Sequence, residues 1–247
     1  MPRRTLKRVL TPEILDHLAP DDPRAIRSRR DLARINAVMG QGAIMARALA
    51  GFAAPKLLAD LGGGDGRFLL GVARRLAKDW SGVRVVILDK QDIVSAETRA
   101  GFAGLGWRCD VLQGDIFRTL PRLEPDIVTA NLFLHHLDDE ALTRLLALVA
   151  ARAKGFAACE PRRSRLALLG AHMVGVLGAN DVTRHDAVAS VRAGFHGSDL
   201  SALWPQKGGW TGGWTGSWIL GEHAAFAFSH VFAAHAASSS QAVGHAL

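Results

Sequence analysis

Hydrophobic and polar positions along the 247-residue chain follow two different periods. Apolar residues recur every three or four positions over residues 22–39, which predicts an amphipathic helix, and a second helix follows as far as about Gly51. Helical patterns also cover residues 67–78, 94–103 and 139–153. Between them lie five short apolar runs typical of buried strands, at residues 56–60, 83–88, 107–113, 126–130 and 155–159. This alternation predicts an α/β fold with a parallel sheet covered on both faces.

The pattern changes after Glu160. A basic turn leads into the apolar segment Leu166 to Ala179, which is shorter than the roughly 20 residues that a bilayer requires, and we interpret it as a buried or lid helix. We therefore expect a helical lid insertion over about residues 162–205. Beyond Gly208 the chain contains no Lys or Arg, and a Gly-Gly-Trp-Thr repeat precedes two strand candidates around residues 214–220 and 226–232. Residues 238–247 are expected to form a flexible tail.

Composition and charge exclude several classes of protein. Hydrophobic residues make up 49% of the chain, which fits one large domain or a domain with a small lid. The net charge of +7 suggests an anionic partner, but basic residues are mixed with acids along the helices, so a nucleic-acid partner is disfavoured. Cys109 and Cys159 have no second Cys or His at ligand spacing and are interpreted as reduced core residues. The basic start lacks the apolar segment of a signal peptide, so a cytoplasmic location is expected.

A glycine-rich motif, Gly62-x-Gly64-x-Gly66, stands between the first strand and the helix that follows it. Glycines at such a turn let the backbone approach a ligand closely, and ligands of open α/β sheets lie at the carboxyl ends of the strands. Arg67 occupies the place where a dinucleotide-binding fingerprint has its third glycine. The motif therefore indicates a ligand site, and it departs from the pattern of NAD-binding proteins.

Three acids near this motif indicate which ligand fits. Asp60 and Asp65 flank the loop, so a pyrophosphate at the start of the next helix would meet carboxylates instead of bare amide groups. S-adenosylmethionine (SAM) has no phosphate and carries an ammonium and a sulfonium, so these acids favour SAM over NAD. Asp89 ends the second strand, where an acid commonly accepts hydrogen bonds from ribose hydroxyls, although it could instead cap a turn.

After the third strand, Asp115 and Ile116 are candidates for contacts with adenine. The carboxylate of Asp115 could meet the adenine amino group while Ile116 packs on the ring. An Asx-type turn is an almost equally good interpretation of Asp115.

Four segments together resemble class I SAM-dependent methyltransferases: residues 59–66, Asp89, residues 114–116 and residues 130–138. The stretch Asn131-Leu-Phe-Leu-His-His-Leu137 is similar to the small-molecule branch that includes ubiquinone and menaquinone methyltransferases. Residues 30–36 and 159–165 resemble bacterial enzymes associated with type III polyketide synthases. The resemblance implies a Rossmann-like seven-stranded, mostly parallel sheet with an antiparallel last strand. It also places Asn131 among the cofactor-binding residues.

The resemblance divides the chain into an N-terminal helical segment, residues 1–51, that covers the active site, and a methyltransferase domain, residues 52–237, that contains the lid. Methyl transfer from a sulfonium is a direct displacement, so positioning supplies most of the rate and no covalent residue is required. A phenolic acceptor would still benefit from a base, and His is the usual choice near neutral pH. His135 and His136 follow the fourth strand and are equal candidates, although either could instead cap a helix or pack against the lid.

We therefore expect O-methylation of a hydrophobic phenolic, quinone-like or polyketide acceptor, as in secondary metabolism, with C-methylation left open. The alternatives are an RNA or protein methyltransferase and a SAM-binding module without catalysis. No His, Asp or Glu cluster shows ligand spacing along the sequence, so no metal site is expected. A homodimer stays open as the assembly.

Overall fold

The computed structural model describes residues 6–205, 208–210 and 214–237, so the tail expected beyond residue 237 lies outside the described residues. The helices are α1 (Pro23–Val38), α2 (Gln41–Leu49), α3 (Arg67–Leu76), α4 (Ala96–Ala103), α5 (Ile116–Thr119), α6 (Asp139–Arg152), α7 (Arg165–Met173), α8 (Asp181–Ala193) and α9 (Asp199–Leu203). The strands are β1 (Leu57–Leu61), β2 (Arg84–Asp89), β3 (Arg108–Gln113), β4 (Ile127–Asn131), β5 (Gly155–Pro161), β6 (Gly208–Trp210), β7 (Trp214–Gly216), β8 (Trp218–Ala225) and β9 (Ser229–Ala236). Single 3-10 turns lie at Leu15–His17, Leu120–Arg122, Leu134–His136 and Val174–Leu177.

Seven of these strands form one sheet in the order β3-β2-β1-β4-β5-β9-β8. Strands β1 to β5 are parallel, and β9 runs antiparallel to both of its neighbours. The sheet therefore confirms the α/β, Rossmann-like fold with seven strands and an antiparallel last strand. Strand order reverses between β1 and β4, and the carboxyl ends of strands at such a switch point flank a crevice where ligands bind.

The central strands β1, β4 and β5 are buried on both faces of the sheet, and successive residues of each strand point to opposite faces. Leu58 packs with Leu69 of α3 on one face, in a core that also includes α2. Ala59 packs with Leu145 of α6 on the other face. Strand β5 is buried along its whole length. These two cores hold the strands rigidly and fix the positions of the residues at their carboxyl ends.

The insertion between β5 and the C-terminal strands contains α7, α8 and α9. The apolar segment from Leu166 forms α7 and a 3-10 turn, and both end before Gly178, which has a left-handed φ of 77°. Ala167 and Ala171 are buried, whereas Leu169 is 62% exposed. A fully buried helix is therefore the wrong interpretation of this segment. The alternative, that residues 162–205 act as a lid, stays a prediction.

The two C-terminal strands begin about three or four residues later than the sequence pattern suggests. Burial alternates along β8, so only one of its faces contributes a hydrophobic signal. Part of the Gly-Gly-Trp-Thr repeat forms the separate pair β6 and β7, and residues 211–213 lie outside the described residues. Cys109 and Cys159 are both free thiols; Cys159 is buried and Cys109 is half-buried. Among the described residues, no helix is long and apolar enough to cross a membrane.

Candidate active site

The glycine-rich motif follows β1 directly and turns the chain into α3. Gly62 and Gly64 have φ angles of 63° and 55°, a left-handed conformation that residues with a Cβ rarely adopt. A Cβ added to Gly62 would lie 2.2 Å from Cδ2 of Phe133, whereas a Cβ on Gly64 would have no described heavy atom within 4 Å. The backbone at Gly64 therefore borders open space at the carboxyl end of the sheet, where a ligand can approach it closely.

Asp60 lies beneath this loop and does not face solvent. Its side chain is 3% exposed, and the hydroxyl of Thr129 donates a 2.6 Å hydrogen bond to its Oδ1. Burial raises the pKa of Asp60 to about 7; the hydrogen bond from Thr129 opposes this effect and the charge of Asp89 adds to it. A buried carboxyl of this kind would be stabilised in its ionised form by a cation placed above the loop.

Asp89 at the end of β2 is tied to the loop. Its Oδ2 accepts the N–H of Gly64 at 2.9 Å, and its Oδ1 accepts the N–H of Gln91, also at 2.9 Å. The turn-capping interpretation therefore describes one part of its role, but each carboxylate oxygen can accept a second hydrogen bond. Asp65 is more exposed, and its Oδ1 accepts the N–H of Arg67 at 3.0 Å at the start of α3.

Three further candidates lie near the ends of β3 and β4. Asn131 ends β4, and its Oδ1 is buried with no hydrogen-bond partner among the described residues, so a ligand that donates a hydrogen bond would satisfy it. Asp115 caps α5 by accepting the N–H of Phe117 at 2.9 Å, which is the Asx-type alternative considered from the sequence. Ile116 is 8% exposed and packs in the core under β1 and β4.

The turn after β4 is built around the carboxylate of Glu160, a residue that the sequence analysis did not single out. Leu132 adopts a left-handed φ of 52°, which is uncommon for a residue with a Cβ and bends the chain sharply. The N–H groups of Phe133 and Leu134 then donate to Oε1 of Glu160 at 3.0 and 2.9 Å. Glu160 is fully buried near the end of β5. An acid inside an apolar strand was the available signal for it.

His135 is held between two carboxylates. Its Nδ1 lies 2.7 Å from Oε2 of Glu160, and its Nε2 lies 3.2 Å from Oε1 of Glu13. Burial alone would lower the pKa of His135, but the hydrogen bonds to Glu13 and Glu160 outweigh it and raise the pKa to about 9. The imidazole is therefore oriented by both partners and is charged at neutral pH in this arrangement.

His136 stacks beside His135 and points to a different carboxylate. The two rings have centroids 4.2 Å apart, and Nδ1 of His136 lies 3.1 Å from Oδ2 of Asp16. Its Nε2 lies 4.0 Å from Oε2 of Glu13, and 25% of its side chain is exposed. The structure thus brings Glu13 and Asp16 against both histidines, although more than 100 residues separate them in the chain.

Asp186 fixes the segment that carries Glu13. It is buried, and its two carboxylate oxygens accept the N–H groups of Ile14 at 2.8 Å and Leu15 at 3.0 Å. Asp186 is therefore not a solvated residue of the insertion, because its burial and these two bonds tie it to the N-terminal segment. The hydroxyl of Ser190, one turn later on α8, donates to Oε1 of Glu13.

A family model described as an O-methyltransferase domain matches residues 13–157, more than half of the chain. The matched region begins at Glu13 and contains the glycine-rich motif, Asp89 and both histidines. Among curated proteins, no relative matches the chain.

Solved structures share this fold at low sequence identity. The mitomycin 7-O-methyltransferase MmcR has a TM-score of 0.58 at 20% identity over 90% of this chain and 60% of its own. An O-methyltransferase family protein from Burkholderia thailandensis has a TM-score of 0.58 at 17% identity, over 89% of this chain and 61% of its own. The plantazolicin methyltransferase BpumL, solved with SAH, has a TM-score of 0.55 at 11% identity, over 88% and 92% of the two chains. The chain therefore spans about 60% of the length of the first two structures.

Proposed function

Since the chain belongs to the O-methyltransferase domain family, we propose that it transfers the methyl group of SAM to an oxygen atom of a hydrophobic small molecule. The observation that carries the proposal is the juxtaposition of two features at one edge of the sheet. The loop that suits SAM contacts Phe133, and the N–H of Phe133 is bonded to the same carboxylate that orients His135. A cofactor loop and an oriented base at neighbouring strand ends are what an O-methyltransferase requires.

The residues at the loop fit SAM in three respects. The space above Gly64 admits close approach of a ligand to the backbone. The carboxylates of Asp60, Asp65 and Asp89 suit a cation, and the free acceptor positions of Asp89 suit ribose hydroxyls. The partnerless Oδ1 of Asn131 suits a hydrogen-bond donor such as an ammonium group. When bound, SAM supplies an electrophilic methyl group on its sulfonium.

We assign His135 as the base that accepts the acceptor's hydroxyl proton at Nε2. It can do so only as the neutral imidazole, and loss of the hydrogen bond to Glu13 favours that form because this bond raises the pKa of His135. The Nδ1–H of His135 donates a hydrogen bond to Oε2 of Glu160, which fixes the tautomer and orientation of the ring, as a carboxylate does in a catalytic triad. In this structure Glu13 occupies the place beside Nε2, so an acceptor hydroxyl would replace Glu13 as the partner of that nitrogen. His136 is the second candidate, since its Nε2 is farther from Glu13 and its ring is partly exposed.

The acceptor is proposed to be a phenolic, quinone-like or polyketide compound, as for the ubiquinone, menaquinone and type III polyketide synthase-associated enzymes that parts of the sequence resemble. Apolar side chains support this choice: Phe133 borders the loop, and α7 of the insertion is largely apolar. The natural-product enzyme MmcR, whose acceptor is a mitomycin, has the same fold. RNA or protein methylation, and SAM binding without turnover, are the alternatives.

The test is transfer of a labelled methyl group from SAM by the purified chain to a panel of phenols, hydroquinones and aromatic polyketides, with bulk RNA and protein as competing acceptors. We expect label on at least one small phenolic acceptor. His135→Gln should abolish the transfer while calorimetric binding of SAM persists. His172→Gln, an exposed histidine on α7, is the matched control and should keep full activity. Label on RNA or protein alone, or SAM binding without any transfer, would contradict the proposal.

A further inference from the structure

The three side chains of Glu13, His135 and His136 form a cluster whose donor atoms converge on one point. One ligating atom from each residue lies within 4.8 Å of the others. In a tetrahedral zinc site, bonds of about 2.0–2.2 Å place neighbouring ligand atoms about 3.3 Å apart. Nε2 of His135 already lies 3.2 Å from Oε1 of Glu13, and Nε2 of His136 lies 4.0 Å from Oε2 of Glu13. Small side-chain shifts would therefore complete a coordination triangle.

The hydrogen bonds behind the two histidines are those that metal ligands require. A metal-bound imidazole almost always donates its other ring N–H to a carboxylate or carbonyl, which fixes the tautomer. Nδ1 of His135 lies 2.7 Å from Glu160, and Nδ1 of His136 lies 3.1 Å from Asp16. Both Nε2 atoms are thereby directed toward Glu13. An ordinary ion pair has one histidine and one carboxylate. Here two carboxylate–histidine pairs direct their Nε2 atoms toward the same further carboxylate, Glu13.

Burial and charge also suit a divalent cation. The side chains of His135 and Glu13 are 3% and 11% exposed, and Glu160 is fully buried, so water would screen a bound ion poorly. Glu13, Asp16 and Glu160 together supply three negative charges around the two imidazoles. The hydroxyl of Ser190, which donates to Glu13, would orient that carboxylate as a ligand.

From this geometry we propose that Glu13, His135 and His136 bind one divalent transition-metal ion, with Zn²⁺ as the best match. Two imidazoles and one carboxylate are the ligand set of open zinc sites, and imidazole also suits Co²⁺ and Ni²⁺, whereas Mg²⁺ and Ca²⁺ prefer all-oxygen sites. A fourth position remains for water or another small oxygen ligand. The ion would attach the N-terminal segment to the turn after β4. An ion at this site would occupy Nε2 of His135, the atom that the proposed function gives to the acceptor hydroxyl, so the metal-bound form would be unable to take up the hydroxyl proton. The assignment itself rests on the side-chain geometry of the cluster and not on the proposed function.

The test is calorimetric titration of the metal-free full chain with ZnCl₂ in a buffer that does not chelate metal, with neither SAM nor acceptor present. We expect one Zn²⁺ per chain. Glu13→Gln and His136→Gln should each weaken binding by more than about 100-fold, because loss of an outer-shell partner alone costs roughly 10–100-fold. Asp16→Asn should weaken it about tenfold. His17→Gln, an exposed histidine on the same 3-10 turn as Asp16, is the matched control and should bind as the parent does.

Substitution with Co²⁺ provides a second readout, since the ion's visible absorption reports a low-coordinate nitrogen and oxygen site. We expect absorption bands that appear with the parent chain and His17→Gln and are absent with Glu13→Gln. Unfolding curves for each variant separate loss of the site from loss of the fold. Absence of Zn²⁺ binding to the parent, or binding by Glu13→Gln and His136→Gln as tight as that of the parent, would overturn the proposal and leave the cluster as a set of ion pairs. Methyl transfer is not measured, so failure of the metal site and failure of the proposed function are distinguishable.

Discussion

Nδ1 of His135 lies 2.7 Å from Oε2 of Glu160, and the two residues belong to the ends of neighbouring parallel strands. The same carboxylate accepts N–H groups from the turn that carries the histidine. One buried acid therefore fixes both the backbone and the ring of the proposed base.

Replacing Glu160 by Gln should lower kcat by at least about 100-fold and leave the affinity for SAM nearly unchanged. The amide cannot accept from the imidazole N–H and the backbone N–H groups together, so the ring loses its orientation, and general-base catalysis is worth about 10²–10⁴-fold. Steady-state kinetics of methyl transfer from labelled SAM and calorimetry with SAM check the two parts of the expectation.

Glu222 provides the matched control, because it is another buried glutamate that pairs with a histidine. It lies 2.7 Å from Nε2 of His230 and accepts N–H groups from Leu200 and Ser201. Glu222→Gln should cost a similar free energy of unfolding, about 1–3 kcal/mol, and preserve kcat. Equal losses of kcat in the two variants would assign the effect of Glu160 to stability.

Gly64→Ala should weaken SAM binding much more than it destabilises the fold. A left-handed φ costs a residue with a Cβ about 1–2 kcal/mol, and the new methyl group would also occupy the open space where the ligand approaches. Gly82→Ala separates the two effects, since Gly82 has a φ of 65° and equally open surroundings but precedes β2 at the opposite edge of the sheet. We expect similar unfolding curves for both variants and a loss of SAM affinity, measured by calorimetry, for Gly64→Ala alone. Normal SAM binding by Gly64→Ala would place the cofactor elsewhere.

Asp89→Ala should weaken SAM by about tenfold or more, or roughly 1.5–3 kcal/mol, which is the scale of hydrogen bonds to a charged group. The variant loses the expected ribose contacts and also the bond that holds Gly64. Asp92→Ala is the control on the same loop, because Asp92 pairs with Arg99 away from the motif. Calorimetry on both variants is the measurement, and equal SAM affinities would remove Asp89 from the site.

The pH dependence of stability should carry a contribution from Asp60. Its pKa is about 7 in the folded chain against an ordinary value of 3.8, so between these values the folded state retains a proton that the unfolded state has released. The free energy of unfolding therefore falls as pH rises from about 4 to 7, and this contribution is constant above about pH 7. Asp60→Asn should remove that part of the slope in urea unfolding curves measured across the window.

Thr129→Val is the companion variant, since it removes the hydrogen bond that lowers the pKa of Asp60. The window of falling stability should then extend to higher pH. Parallel stability curves for the parent and Asp60→Asn would mean that the carboxyl titrates normally in the folded chain.

Local patterns were sufficient to predict most of the sheet. Strands β1 to β4 lie within about one residue of their predicted bounds. Strands β1, β2 and β4 are buried apolar runs that end at a polar or glycine residue, whereas β3 is only partly buried. Helix α6 begins at Asp139, where its pattern predicts, and the side chain of Asp138 caps it by accepting the N–H of Ala141. The C-terminal strands were predicted three or four residues too early because β8 alternates between half-buried and exposed residues, and its half-buried face includes Glu222, so its hydrophobic period is weak.

The surroundings of the histidines could not be predicted in the same way. Glu13 precedes His135 by 122 positions, and only the path of the folded chain brings their side chains together. The separation of His, Asp and Glu residues along the sequence therefore does not predict which of their side chains meet around the turn after β4. Glu160 was closer to prediction, because an acid in a wholly buried strand requires a partner.

The contact between Phe133 and Gly62 has a consequence for engineering. Because the ring lies against the cofactor loop, changes made to the acceptor side of the turn will also alter the space available to the loop. Substitutions at these two positions should therefore be non-additive in a double-mutant cycle. A search for variants with a new acceptor specificity should therefore vary Phe133 and the loop together, because which side chain fits at one position depends on the residue at the other.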